Sequence, residues 1–273
     1  MFRRLLFFSA LSALAPAGWA QGASTPLRPE DTPAQPADAP AEDAPAPPAG
    51  PPVANWFEAQ VELHRRGYSC GSIDGVRGAQ TAEALQAFQR NEGLPPTGNL
   101  DAATRAVLLL TAEPLTTHTF TAAELAGLEP AATTWLEKSQ RSALTHASAL
   151  ELAGELSRTN PKLLRTLNPG CNWDDLLPGA TISMPAVAPF TSPLKVARIH
   201  IRLAEKVLEA TTEEGQIVLH CPVSIARNIE KRPVGELKVT VVIPNPDYTF
   251  DPAVFPESAE AQTLGRKLIL PPG

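Results

Sequence analysis

Apolar residues recur at helical spacing in the segment that follows residue 54. In WFEAQVELHRRGY the apolar positions follow the period of a helix, and Val61 lies on the apolar side. In TAEALQAFQRNEG, Leu85 and Phe88 lie three residues apart, which predicts a second helix with an inward face. A third helix is predicted to begin at Asp101, because aspartate is a favoured N-cap residue. Residues 55–110 are therefore predicted to form three short helices around one small core.

The spacing changes to alternation after residue 190. VARIHIRL, QIVLHCPVSI and ELKVTVVI each alternate apolar and polar residues, which predicts strands with one buried face. Residues 191–273 are accordingly predicted to be mostly β. The intervening residues 111–190 are predicted to contain two helices and then a strand over 181–184. Taken together, the pattern predicts a multidomain α+β protein.

The first 54 residues differ in composition from the rest. Arg3 and Arg4 precede an apolar run, and small residues lead to Ala20, which is the layout of a secretory signal over residues 1–20. The run is too short for a membrane-spanning helix. Residues 21–54 are rich in alanine, proline and acidic residues, which predicts a disordered linker. The sequence thus predicts export to the periplasm or cell wall, and without a cysteine near the cleavage point it predicts no stable membrane anchor.

The charge balance excludes one class of partner. The 273 residues include 23 Lys and Arg against 29 Asp and Glu, a formal net charge of −6. Removal of a signal containing Arg3 and Arg4 would make the chain more acidic still. Because binding to phosphates requires clustered basic residues, we expect no nucleic acid as a partner.

A series of spaced residues within 55–110 is typical of a known module. The series is Asp74-Gly75, Gly78, Thr81, Ala84, Phe88-Gln89, Gly93-Leu94, Thr97-Gly98, Leu100-Asp101 and Thr104. It resembles the three-helix peptidoglycan-binding domain of cell-wall hydrolases and transpeptidases. The resemblance implies peptidoglycan, with its glycan strands and stem peptides, as the partner. Arg77, Gln80 and Gln89 are candidate contact residues, and a solvated surface is the alternative interpretation for each.

Residues 111–190 resemble a second wall module, the lysin motif. The similarity lies in an Asn-Pro pair, in Leu177-Pro178-Gly179 and in a closing Ile-x-Met-Pro. It implies binding of glycans that contain N-acetylglucosamine. The opening segment TTHTF is a poor strand candidate, and a long insert separates it from the helices. Trp173 is a candidate for stacking on a sugar ring, and packing within its own domain is the alternative.

Residues 191–273 resemble the opening half of the L,D-transpeptidase catalytic domain. The similarity lies in PVSI at 222–225, in RPVGELKV with Arg232-Pro233 where the family usually has Thr-Pro, in NPDYTFDPAVF at 245–255, and in the terminal PPG. Members of this family cross-link stem peptides through a cysteine nucleophile and a histidine base.

The catalytic segments of that family are absent from this sequence. In the family, a His-Gly segment and a Ser-His-Gly-Cys-x-Arg segment follow the PPG loop, and neither occurs here. We therefore assign no catalytic residue, expect no activity from the chain as given, and interpret its end as an interruption of the domain. The alternative hypothesis is a non-enzymatic cell-wall binding protein.

Other chemistry finds little support in the sequence. Cys70, Cys171 and Cys221 allow at most one internal disulfide, whose pairing is open. Cys221 adjoins His220, but neighbouring residues of a strand point to opposite faces, so the pair is not expected to react together. The histidines lack metal-ligand spacing, and we expect no metal and no cofactor. An amidase or muramidase would need a zinc triad or paired carboxylates, for which no candidates occur.

Overall fold

A computed structural model describes residues 50–255 and 258–272. The predicted signal over 1–20 and residues 21–49 of the predicted linker lie outside these residues. The disorder predicted for the last residues of the linker, 50–54, is wrong, because Val53 is fully buried and its N–H donates to Leu108 O at 3.2 Å. In chain order the elements are α1 (Trp56–Arg65), α2 (Ala79–Asn91), α3 (Ala102–Val107), β1 (Leu115–Thr119), α4 (Ala122–Ala126), α5 (Trp135–Ser139), α6 (Ala149–Leu156), α7 (Pro161–Leu167), β2 (Thr181–Pro185), β3 (Arg198–Arg202), β4 (Val207–Thr211), β5 (Ile217–Pro222), a 3-10 turn (Ile229–Lys231), β6 (Tyr248–Phe250), α8 (Ala261–Leu264) and β7 (Leu268–Leu270).

The three helices predicted for the first folded segment are confirmed. The Asn55 side chain caps α1 by accepting from the Glu58 backbone N–H, and Asp101 caps α3 as predicted by accepting from Thr104. The Tyr68 and Phe88 rings meet edge to face, with their centroids 5.6 Å apart and their planes at 85°. The core is apolar and fully or almost fully buried, and it includes Val53, Ala59, Leu63, Tyr68, Ala84, Leu85, Phe88 and Leu108.

The middle segment pairs its first strand with its last. β1 and β2 are antiparallel, with Leu115 opposite Pro185 and Thr119 opposite Thr181. The segment TTHTF, a poor strand candidate in the sequence, therefore contributes most of β1. Between the two strands, α4 and α5 form an insert, α7 packs on β2, and α6 packs on α7. The shared core consists of Phe120, Ala149, Leu150, Leu152, Ala153, Leu164, Trp173 and Ile182.

The third segment contains a three-stranded antiparallel sheet in the order β3-β4-β5. Glu209 at the centre of β4 lies between His200 of β3 and His220 of β5. Strand β4 was not among the alternating segments of the sequence. Two of the predicted strands, in VARIHIRL and QIVLHCPVSI, are confirmed as β3 and β5. The buried face predicted for the first of them is wrong, because Ile199 and Ile201 of β3 are 50% and 54% exposed.

The strand predicted in ELKVTVVI is wrong. Residues 236–243 form neither helix nor strand, and Leu237, Val239, Val241 and Ile243 are all exposed. Alternation stabilises a strand only where a neighbouring strand takes its hydrogen bonds and a packed face covers its apolar side. None of the sheets in the described residues pairs with this segment. Its apolar residues therefore remain open to solvent.

The last strands pack on the middle segment instead of extending the β3-β4-β5 sheet. β6 and β7 form an antiparallel hairpin, and the Trp135 ring of α5 stacks on Phe250 with centroids 4.6 Å apart. The Glu260 carboxylate accepts from the backbone N–H groups of Trp135 and Leu136, both at 2.9 Å. The start of α5 is thus held by residues 115 to 125 positions further along the chain.

Backbone hydrogen bonds join the three-helix domain to the β3-β4-β5 sheet. Ser69 N donates to His220 O at 2.8 Å, and His220 N donates to Gly67 O at 2.9 Å. The Asn91 side chain at the end of α2 accepts from Ile217 N at 2.9 Å. Because these bonds continue the pairing edge of β5, the sheet has a fixed position on the domain.

A second set of backbone bonds joins the three-helix domain to the middle segment. Ile73 N donates to Arg158 O at 2.7 Å, and Asn160 N donates to Ile73 O at 2.8 Å. The loop after α1 is thereby paired with the connection between α6 and α7. All three segments of the described chain are consequently in direct contact.

Candidate functional site

The buried side-chain amide of Gln60 holds the loop that connects α1 to α2. Its Oε1 accepts from Asp74 N at 3.1 Å and from Gly75 N at 2.7 Å. Its Nε2 lies within hydrogen-bonding distance of Asp74 Oδ1, Val76 O and Thr81 Oγ1, at 2.9–3.0 Å. Since Gln60 is fully buried, these bonds replace the water that its amide would otherwise require.

Gln89 holds the loop between α2 and α3 in the same way. Its Oε1 accepts from Gly98 N at 2.8 Å. Its Nε2 lies within bonding distance of Thr97 Oγ1 and Asn99 O, both at 3.1 Å, and of Thr104 Oγ1 at 2.7 Å. Gln89 is also fully buried. The interpretation of Gln89 as an exposed contact residue is therefore wrong, because its side chain is buried and stabilises the loop through hydrogen bonds.

The two loops are structural repeats of one another, and we call them the twin loops (residues 74–81 and 97–104). In each, a glycine in the left-handed region donates to the glutamine, with φ of 75° at Gly75 and 63° at Gly98. In each, a threonine six residues later, Thr81 or Thr104, meets the glutamine Nε2. Sequence reasoning did not single out Gln60. The repeated Gly-x5-Thr spacing was the signal that could have found it.

Arg77 joins the two repeats at the surface. It is exposed, and its Nε donates to Gly98 O at 3.1 Å, which links the first of the twin loops to the second. Gln80 is exposed in the first turn of α2. Arg77 and Gln80 are thus both exposed, but Arg77 reaches Gly98 whereas the Gln80 side chain lies next to Gly71. Gln89 is buried.

Trp173 lies apart from that surface, in the core of the middle segment. It is only 6% exposed, which agrees with the packing alternative and leaves little of the ring face open to a sugar. Its Nε1 is buried and has no hydrogen-bond partner among the described residues. A shallow depression beside the connection from α7 to β2 is lined by other residues, including Asn168, Cys171, Asp175, Leu177 and Thr181.

The three cysteines are free, and none has the surroundings of a nucleophile. Burial raises the pKa of the Cys221 thiol, and burial together with the charge of Asp74 raises the pKa of the Cys70 thiol. Burial also raises the pKa of Cys171 despite the nearby Arg165. A nucleophilic cysteine requires the opposite shift, because the thiolate is the reactive form.

The histidines nearest to those thiols are engaged elsewhere. His64 Nε2 accepts from the backbone N–H of Cys70 at 3.3 Å. Burial, reinforced by the charge of Arg158, lowers the pKa of His64 to about 4, so the ring is neutral at pH 7. His220 Nδ1 lies 3.1 Å from Glu209 Oε1 on β4. Neither ring is hydrogen-bonded to a cysteine sulfur.

Glu209 is the centre of a buried ionic cluster between the sheet and α2. Its carboxylate contacts Arg202 at 2.7 Å, Arg90 at 2.5 Å and His220 at 3.1 Å. Burial alone would raise the pKa of Glu209. The hydrogen bonds from His220 and Arg202 and the charge of Arg90 have the larger combined effect, so the pKa is lowered to about 2. Because Arg90 belongs to the three-helix domain, the cluster helps to fix that domain on the sheet.

Two further features of residues 50–255 and 258–272 concern metal ligands and membrane spans. No group of three or more His, Cys, Asp or Glu side chains in these residues could hold a metal ion. No helix among them is both long and apolar enough to cross a membrane.

Comparison with known proteins identifies the three-helix segment. Residues 53–108 match the family described as "Putative peptidoglycan binding domain". The chain is also 47% identical over 51 residues to the localization factor PodJL of Caulobacter vibrioides, in strain NA1000 / CB15N and in strain ATCC 19089 / CIP 103742 / CB 15. That match covers 19% of this chain and 5% of PodJL. Residues 53–108 are thus a peptidoglycan-binding domain, and the predicted partner peptidoglycan is supported.

Proposed function

We propose that the chain is an exported protein that attaches to the cell wall through the twin-loop surface of residues 53–108. The observation that carries this proposal is the family match of the domain, whose loops are held by Gln60 and Gln89. Loops fixed from inside keep their surface groups in place before a ligand arrives, which reduces the entropy lost on binding. The signal-like layout of residues 1–20 supports export to the periplasm or cell wall.

Sedimentation with purified, insoluble sacculi tests wall attachment. We expect the full chain to enter the pellet, and we expect an excess of soluble muropeptides to return it to the supernatant. A chain that stays in the supernatant at all sacculus concentrations would remove the proposal. Fractionation of cells that produce the full chain tests export: recovery of the protein with its first 20 residues intact in the cytoplasm would contradict that part.

Residues 111–190 form the second wall contact in this proposal, as a region related to the lysin motif. The support is that antiparallel β1 and β2 enclose α6 and α7, with a depression at the α7–β2 connection. Leu177, 70% exposed beside that depression, is the apolar group best placed to cover a sugar ring. Titration with N-acetylglucosamine oligosaccharides should show binding that Leu177→Ala weakens and Ile269→Ala, an exposed control, does not. An absence of oligosaccharide binding by the unaltered chain would exclude this contact.

Residues 191–273 are assigned in this proposal to the L,D-transpeptidase family, without its catalytic segments. The support is the order of motifs in the sequence and the antiparallel sheet seated beside the binding domain. With three buried or half-buried thiols of raised pKa, the chain should form no new cross-links between stem peptides. The assay is mass spectrometry of muropeptides after incubation, with an active transpeptidase as the positive control. Cross-links that disappear in Cys221→Ser would show that an active nucleophile had been overlooked.

A further inference from the structure

The cations of the peptidoglycan-binding domain are almost all used within the protein. Residues 53–108 contain five arginines and no lysine, and His64 is neutral. Arg65, Arg66 and Arg105 each donate to backbone carbonyl groups. Arg90 pairs with Glu209 across the interface with the sheet. Four of the five guanidinium groups therefore hold the fold together.

Arg77 is the exception. Its side chain is bonded through Nε alone, to Gly98 O, and no acceptor in the described residues lies within bonding distance of its two terminal nitrogens. The carbonyl that it contacts belongs to a glycine whose N–H is bonded to Gln89. The exposed guanidinium is consequently held by one edge on a fixed loop, and its terminal edge is available to a ligand.

The acids of the twin loops do not neutralise this cation. Asp74 Oδ1 accepts from Gln60, and Asp101 accepts from the backbone N–H and the hydroxyl of Thr104. The same two donors, with a further hydroxyl, hold the pKa of Asp101 below its usual value. Both carboxylates face groups of their own loops, and neither forms an ion pair with Arg77 among the described residues.

We propose that Arg77 binds a free carboxylate of the peptidoglycan stem peptide, so that this domain recognises the peptide part of the wall and not only its glycan. The terminal edge of a guanidinium donates two parallel hydrogen bonds, which matches the geometry of a carboxylate. A glycan repeat whose lactyl carboxyl is joined to a stem peptide as an amide offers no such anion. Because the chain has a net charge of −6, attraction for an anionic ligand depends on a local cation such as this one. The inference rests on wall attachment through residues 53–108.

The test compares native sacculi with sacculi whose free carboxylates have been converted to primary amides. Binding isotherms are measured by sedimentation for the full chain, for Arg77→Gln and for Arg77→Lys. We expect amidation to weaken binding of the unaltered chain by about tenfold. Arg77→Gln should bind native sacculi about tenfold more weakly and should no longer distinguish the two preparations. Arg77→Lys should keep part of the preference, because lysine retains the positive charge but cannot donate the two parallel hydrogen bonds of a guanidinium.

A matched control and a check on folding keep the outcomes distinct. Lys195→Gln removes one exposed positive charge outside the domain and should retain the full preference for native sacculi. The exchange rate of the Gly98 amide shows whether Arg77→Gln keeps the second of the twin loops intact. Equal binding of the unaltered chain to both preparations would overturn the carboxylate contact, as would a preference that survives in Arg77→Gln. Binding to neither preparation would instead overturn wall attachment itself.

Discussion

Replacing Gln60 by leucine should release the first of the twin loops. The substitution keeps an apolar stem of similar size and removes an amide that meets two backbone donors and three acceptors. Since Nε2 has two hydrogens, about four of these bonds form together, and at about 1 kcal/mol each the loop loses about 4 kcal/mol. If half of that loss appears in the local opening of the loop, the Gly75 amide should exchange with solvent roughly thirtyfold faster.

The measurement is hydrogen exchange of the full chain followed by nuclear magnetic resonance, residue by residue. Gln89→Leu should produce the same acceleration at Gly98 and leave Gly75 protected, because each glutamine serves only its own loop. Gln80→Leu, at an exposed position, is the control and should change neither amide, with an effect on stability within about 0.5 kcal/mol. A Gly75 amide that exchanges at its normal rate in Gln60→Leu would refute the structural role given to this amide.

Three further outcomes follow from the packing. Burial lowers the pKa of His64 from 6.5 to about 4. Because the unfolded chain therefore protonates this histidine at a higher pH than the folded chain does, the free energy of unfolding should fall as the pH drops from about 6.5 to 4. Urea unfolding of His64→Gln should show a smaller fall over that range. The pKa of Glu209 is lowered from 4.5 to about 2, so the stabilisation that it contributes is present above pH 4.5 and is lost toward pH 2. In Glu209→Gln the free energy of unfolding should vary less between pH 4.5 and 2, and an unchanged pH profile would contradict the ionic cluster. Limited trypsin digestion should cut first at Lys231 or Lys238, in the stretch 223–247, which contains no α-helix and no strand. A resistant fragment spanning 191–273 would instead favour the non-enzymatic alternative.

The helices of the binding domain could be predicted because their signals are local. The apolar spacing around Phe88 and the cap at Asp101 each involve residues within one or two turns, and both are found in the structure. The role of Gln60 could not be read in the same way. A glutamine on a helix is usually exposed, and its burial here depends on partners 14 to 21 residues away. Only the fold brings those partners to it.

The β segment shows the opposite error. ELKVTVVI has a clearer alternation than β4, yet β4 is a central strand and residues 236–243 are irregular. Strand formation depends on an available neighbour as much as on the residues themselves. β4 lies between β3 and β5, which are close to it in the chain. These neighbouring strands provide Arg202 and His220 as ionic partners for the polar Glu209. The alternating segment has no such neighbour in the described residues.

The backbone pairing of Ile73 with the connection between α6 and α7 affects how tightly a polymer could be held. Two binding surfaces on a flexible tether lose orientational entropy each time both of them bind a ligand. Here the two surfaces are joined by main-chain hydrogen bonds of 2.7 and 2.8 Å, so that entropy has already been lost on folding. If residues 111–190 bind glycan as proposed, a wall strand captured by the twin loops would meet the second surface at a high effective concentration. Two individually weak contacts would then give long residence on the wall, and rupture would require both to open together.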